Sequence, residues 1–526
     1  MVARSLSLLL LPCLAVAQAA NAQAPGQGPG PGTFERRIVA ILDAGGRPET
    51  VQGRLARAGD GLTLTHDQQV AIEAVRTLVR TRAQAKGLSL AEAEAFAARN
   101  PGSPASAILL AETAIADDQP QRGADILIAA AARAGSLIEL VSPATVSKLT
   151  EGLDAAADKT RIANLASALL GAGWSRGSAS LRSYLALAAI RNELASGHLD
   201  SARRLLPVVV NPASLQLILI DNRLAPLRAD VASVAGPRLE RAWRDFLIGA
   251  RDDWLRRGDA LSASAYAEAL KQAGLHEALV DTFLSRFMRG YNCPSDLVAR
   301  SLGADLADSL ARIDRWAKAE DVMRRSGGVS VPIYAAMLLE RGDFGRASAL
   351  FDRSLKAADP ADDETDAKAM AWLQATAACA AYRKGERRGQ AGYDAELLDL
   401  GTGLLVDLCM DRPTEARAAL LGALDDEEER ADALRWVQPF ADPPLQSAFR
   451  KEMSGRIREL QRDPAVVAAV ARHGIILDWP LTAAVPDATA LAGGAPSSAP
   501  WQCGDDSYRQ VDIAAPDSIR LPDSQP

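Results

Sequence analysis

Aromatic side chains make up only 5% of this 526-residue chain, while Ala and Leu dominate. That composition gives β-strands little to pack with and suits helices brought close through small side chains. Histidine is scarcer still. His66, His198, His276 and His473 are far apart, and none belongs to an H-x-x-x-H or similar ligand pair. The simpler account of each is a structural or solvent-exposed residue, with His198 in a turn after Gly197. There is no G-x-S-x-G elbow, no phosphate-binding loop and no dinucleotide fingerprint, and no cysteine pair has the C-x-x-C spacing of a redox or zinc site. No catalytic residue, cofactor site or metal site is therefore expected, and the chain does not read as an enzyme.

Positive charge is also in short supply. Lys and Arg number 59 against 66 Asp and Glu, a formal charge of −7. No basic stripe with interleaved aromatics occurs, so neither nucleic acid nor an anionic membrane surface is expected as a partner. Apolar runs of 18 residues are absent, and the longest greasy stretch lies at the very start. Residues 1–22 combine Arg4, an apolar segment from Leu6 to Val16 and the small-x-small site Ala20-Asn21-Ala22, the pattern of a secretory signal peptide too short to span as an anchor. Acylation at Cys13 is disfavoured by Pro12 and by the brevity of what precedes it. The expectation is a periplasmic or secreted protein with no membrane insertion after signal removal.

Four cysteines remain after processing, Cys293, Cys379, Cys409 and Cys503. In an oxidising compartment they allow two disulfides in three connectivities. Cys379 and Cys409 read as lying on helices of neighbouring units, where bridging needs favourable Cβ directions. Cys293, in a turn, and Cys503, in a loose tail, could pair without straining helices; isolated thiols are the alternative.

The most informative stretch runs from Ala335 to Lys356. Ala335 and Leu338 share one face of a short helix, Gly342-Asp343 breaks it, and Phe344, Ala347, Phe351 and Leu355 recur at three- and four-residue spacing on a second helix. Gly342 suits the positive φ of a tight interhelical turn, and Ala347 is small where two helices approach. This pattern resembles a tetratricopeptide repeat, with Ser354 where that family prefers Ala and Pro360 about one place late. Degenerate echoes, each with a hinge, a residue five later and another four beyond, occur at Asp118/Gly123/Leu127, Gly197/Ala202/Leu206, Gly258/Ala263/Ala267, Asp314/Ala319/Met323 and Asp411/Ala416/Leu420. The fold class expected from the resemblance is all-α, a right-handed α-solenoid of tetratricopeptide-like helical hairpins.

Taken in order, the chain reads as a signal peptide (1–22), a Pro/Gly-rich leader (23–32), an N-terminal helical region (33–100), the repeat array (101–482) and a mostly disordered Pro/Gly/Ser-rich tail (483–526) with Trp501 and Cys503 as its anchors. Early helices are expected over Thr33–Asp43, Glu49–Ala58 and Asp67–Lys86, followed by a capping box at Ser89–Glu92 and a break at Asn100–Pro104. Ser214–Leu227 is unusually apolar and reads either as a connector or as an ordinary buried helix with a loop. The acidic run Asp425–Glu429 and the one at Asp362–Glu364 read as charged helix starts or solvated faces, because consecutive carboxylates fan around a helix and do not converge.

By the resemblance, stacked hairpins present a concave surface that holds a protein or peptide partner. Asn192, Arg251 and Arg383 are polar positions on first helices that would point inward. The alternative is an accessory or catalytic component of a cell-wall enzyme, since the chain is similar to the helical half of some periplasmic lytic transglycosylases. Val466–Leu481 and the tail offer too little for the catalytic half of such an enzyme.

Overall fold

The computed structural model describes residues 33–43, 48–83, 88–176, 178–257, 260–290, 297–326, 331–357, 364–386, 393–442 and 446–485. Among them are 25 α-helices and no strand; the one bridge of β type pairs Asp221 with Gly474. The protein is all-α. No described helix is long and apolar enough to cross a membrane. The helices belong to two compact units divided at Ser214–Leu215, inside the stretch 101–482.

The first unit contains α1 (Thr33–Asp43), α2 (Pro48–Ala56), α3 (His66–Ala83), α4 (Leu90–Arg99), α5 (Pro104–Ala116), α6 (Pro120–Ala134), α7 (Pro143–Ala155), α8 (Lys159–Gly171), α9 (Ala179–Ala195) and α10 (Leu199–Leu205). Ser89 and Glu92 form the expected capping box at the start of α4. One continuous core runs through this unit from Phe34 to Ala189. A buried acid, Glu139, supports it: its carboxylate accepts from the Ser175 backbone N–H at 2.8 Å and the Ser175 hydroxyl at 2.9 Å. Burial still pushes the Glu139 carboxyl above its usual range, against these bonds and against Arg176 and Arg182.

The helix α11 (Pro212–Ile220) spans the division. The second unit continues with α12 (Arg228–Ala235), α13 (Glu240–Arg257), α14 (Ala260–Gln272), α15 (His276–Gly290), α16 (Leu297–Arg312), α17 (Trp316–Arg325), α18 (Val331–Arg341), α19 (Phe344–Ala357), α20 (Glu364–Arg383), α21 (Leu400–Cys409), α22 (Pro413–Asp425), α23 (Arg430–Trp436), α24 (Ala448–Gln461) and α25 (Pro464–His473). Of the apolar stretch Ser214–Leu227, the first part is the end of α11 and Asn222–Leu227 is a short 3-10 helix, with Asp221 buried between them.

One turn recurs through both units. At Asp118, Ala157, Gly197, Gly274, Asp314, Gly342 and Asp411 the backbone has positive φ, between 52° and 87°. Each of these seven residues ends one helix, and the next helix begins two positions later, giving the hairpins α5/α6, α7/α8, α9/α10, α14/α15, α16/α17, α18/α19 and α21/α22. The same pair of hydrogen bonds closes every one. At Gly342, the Asp343 N–H donates to Leu338 O and the Gly342 N–H to Leu339 O, both at 2.9 Å; at Asp314, the Arg315 N–H donates to Leu310 O at 2.8 Å and the Asp314 N–H to Ala311 O at 3.1 Å. Such a left-handed cap satisfies carbonyls that a helix end would otherwise leave orphaned.

The register after the turn is as uniform as the turn. Five positions on stand Gly123, Ile162, Ala202, Leu279, Ala319, Ala347 and Ala416, and four further Leu127, Ala166, Leu206, Phe283, Met323, Phe351 and Leu420, all buried. Gly123 is small of necessity, since a Cβ there would stand 2.6 Å from Ile115 Cγ1 and 3.2 Å from Ala111 O. All five described hinges expected from the sequence, Asp118, Gly197, Asp314, Gly342 and Asp411, occur as turns of this type; Gly258 lies outside the described residues. Ala157 and Gly274 were not anticipated.

The last part of the second unit departs from neighbour-to-neighbour packing. The Ile475 N–H donates to Ile220 O at 2.9 Å, and Trp243 Nε1 donates to Leu481 O at 2.9 Å. Gly474 permits this return, for a Cβ there would lie 2.3 Å from Ile220 O. The acidic run fastens it. Asp425 accepts from Arg472 at 3.1 Å and pairs with His473 Nε2 at 3.0 Å, and Arg223 reaches Glu427.

Candidate functional site

The helix α24 runs across the C-terminal ends of three first helices, and three arginine contacts hold it in order. Arg450 pairs with Glu340 of α18 at 3.0 Å, Glu452 with Arg383 of α20 at 2.8 Å, and Arg456 with Asp411 at the end of α21 at 2.8 Å. Arg456 also donates to Leu408 O at 2.6 Å. Phe449 adds an apolar contact: its ring meets Phe344 edge-on at 5.3 Å, and the Arg383 guanidinium lies 5.1 Å from its centre. α24 also borders an open cleft of about 600 Å³, lined in part by Glu452 and Arg456, whose other wall is the start of α22.

The cleft has about as much apolar as polar surface and carries both signs of charge. Leu408 and Leu460 are its apolar floor, and between Lys451 and Glu459 lies Gly455, with no atom within 4 Å of where a Cβ would stand. Across from α24, Arg417 pairs with Asp463 at 3.0 Å, while the Asp463 carboxylate caps α25 by accepting from the Ala465 and Val466 N–H groups. Burial pushes the Asp463 carboxyl up, but these N–H donors and Arg417 outweigh it and hold it below the usual carboxylate range.

A second charged cluster lies on α14, α15 and α16. Lys271 Nζ donates to Asp305 at 2.7 Å, Arg312 to Asp308 at 2.9 Å, and His276 Nδ1 is 3.1 Å from Ser309 Oγ. Burial lowers the His276 pKa to about 4, with Arg312 adding to the effect; burial raises that of Asp305 against the pull of Lys271. Asp305 and Asp308 each have their own cation, so these two carboxylates are satisfied within the cluster.

Of the residues singled out from the sequence, Ala335, Leu338, Ala347 and Phe351 are fully buried between helices, while Phe344 and Leu355 are half-buried and Gly342 is a hinge. Arg383 is the one inward candidate that reaches the candidate site, through Glu452; Arg251 pairs with Asp252 at 2.9 Å and Asn192 is partly buried on α9. Cys379 and Cys409 form a disulfide joining α20 to α21, with Cα atoms 5.8 Å apart and both residues buried. Cys293 and Cys503 lie outside the described residues, as do Asp362 and Asp363. The cleft residues on α24 were not singled out, since a run of alternating charge on a helix gives no sign that its turns face a neighbour. No family model matches the chain, and no curated protein matches it.

Proposed function

We propose that this chain is an exported scaffold, a right-handed α-solenoid of tetratricopeptide-like hairpins that holds a protein or peptide partner. The observation that carries the reading is the seven-fold recurrence of one two-residue left-handed turn with one buried register after it. The cleft between α24 and the start of α22 is open, charged and of a size that takes a short polypeptide segment. Export is supported by the leader at residues 1–22 and by the buried Cys379–Cys409 bridge, a cross-link that oxidising compartments sustain. The test is to isolate the mature chain from the periplasmic fraction and use it for affinity capture from an envelope extract, with and without the segment after Leu481. A mature N-terminus at Gln23 and a stoichiometric polypeptide partner are expected. A chain retaining Met1 in the cytosol, or hydrolysis of cell-wall material with no polypeptide retained, contradicts the reading.

A further inference from the structure

We infer that the cleft beside α24 binds an extended peptide segment carrying an acidic and a basic side chain four residues apart; this rests on the scaffold reading. Arg456 is held by Leu408 O, Asp411 and Glu452, and Arg417 by Asp463. Lys451 and Glu459 have no ion-pair partner among the described residues, and both are exposed at the cleft. They are the charges left for a ligand, and they have opposite sign.

Their separation sets the ligand's length. Lys451, Gly455 and Glu459 follow at four-residue intervals and line one stripe of α24, so the two charges stand about 12 Å apart along the axis at 1.5 Å per residue. A single amino acid is far too short to meet both. In an extended strand, positions one and five lie on the same side about 13 Å apart, and position three lies on that side midway between them. Position three then falls over Gly455, where the missing side chain leaves room for one from the ligand.

The lining narrows the chemical class further. Among the described residues no aromatic borders the cleft, so they offer no platform on which a nucleobase or sugar ring would stack. A polyanion would meet Glu459, Asp411 and Asp463, and a wholly apolar ligand would leave the Lys451 and Glu459 charges unpaired. A peptide of the pattern acidic–x–apolar–x–basic satisfies both free charges and fills the space above Gly455.

The experiment uses the full mature chain and three capped pentapeptides, acetylated and amidated: Glu-Ala-Leu-Ala-Lys, Glu-Ala-Leu-Ala-Glu and Lys-Ala-Leu-Ala-Lys, titrated by saturation-transfer NMR at low salt. The mixed peptide is expected to bind about fivefold more tightly than either like-charged one, the scale set by exchanging an exposed attractive pair for a repulsive one. Lys451→Glu should shift the preference to the all-basic peptide, and Gly455→Trp should abolish binding of all three while circular dichroism shows the helices intact. Equal binding of the three peptides, no binding, or an unchanged preference in Lys451→Glu overturns the inference. Capture from an envelope extract separates the two levels: retention of a partner by both wild type and Gly455→Trp removes the cleft assignment and leaves the scaffold standing, whereas loss of all polypeptide capture by wild type removes both.

Discussion

The left-handed hinge makes one substitution act with opposite sign at two glycines of the same unit. Gly342 has φ of 87° at the turn between α18 and α19, and a Cβ there would meet Phe449 Cβ at 3.8 Å and Phe344 Cζ at 3.9 Å, both ordinary contacts. The cost of Gly342→Ala is therefore backbone strain alone, about 1–2 kcal/mol for an L residue in this region. The smaller entropy of the unfolded alanine chain offsets about 0.4–1 kcal/mol of that, leaving a net loss of about 1 kcal/mol. Gly422 is exposed within α22 and would have no atom within 4 Å of its Cβ. Gly422→Ala should stabilise by about 0.5–1 kcal/mol, the ordinary helix preference. For a unit of this size each kcal/mol moves the melting temperature by about 1–2 °C. Calorimetry on both variants should show the second unit's transition falling for Gly342→Ala and rising for Gly422→Ala. A rise or no change at Gly342 would mean the turn is not held in the left-handed region, and the hairpin account would fail with it.

Other consequences follow from single contacts. Gly474→Ala forces a Cβ against Ile220 O and, at 2.8 Å, against Leu434 Cδ2, so it should cost about 1–3 kcal/mol and raise amide exchange at Ile475. Replacing Cys379 and Cys409 together by Ala opens a bridge of sequence separation 30 and should lower stability by about 3–4 kcal/mol in denaturant titration. His276 is neutral in the fold because its pKa falls from 6.5 to about 4, so the unfolded chain binds the proton more tightly across that window. Its contribution is intact above about pH 6.5 and is lost as pH falls toward 4, by about 2–3 kcal/mol. The raised carboxyl of Asp305 acts the other way over much of this range and is common to wild type and His276→Gln, so the difference between their stability–pH curves isolates the histidine. Parallel curves would remove the assignment.

Local chemistry was legible because it is written in neighbouring residues. The capping box at Ser89, the early helices to within a few residues, and the hinges at Asp118, Gly197, Asp314, Gly342 and Asp411 follow from turn formers and apolar spacing. The hairpin at Ala157 was hidden twice over. Alanine carries no turn signal at positive φ, and the positions after it, Ile162 and Ala166, place the large residue before the small one. Gly274 was hidden because the position five residues on, small in the recognised copies, is filled by a large residue, Leu279. Restoring Ala157 shows Asp118, Ala157 and Gly197 at intervals of 39 and 40 residues, and Gly274 and Asp314 at 40. The contacts of α24 and α25 were beyond reach for a different reason. Arg450 and Glu340 are 110 residues apart, Asn222 and Arg472 are 250 apart, and such pairings leave no periodic trace. Charges that a helix wheel assigns to solvent turned out to hold that helix against its neighbours.

The central functional claim is that polypeptide is held in the cleft beside α24, and site-specific photo-crosslinking tests it most directly. A photoreactive residue at Gly455, whose missing Cβ points into open space, should give a discrete polypeptide adduct in envelope extract, absent when the same probe replaces exposed Gly422. No adduct at position 455, or the same products from both positions, would contradict the account.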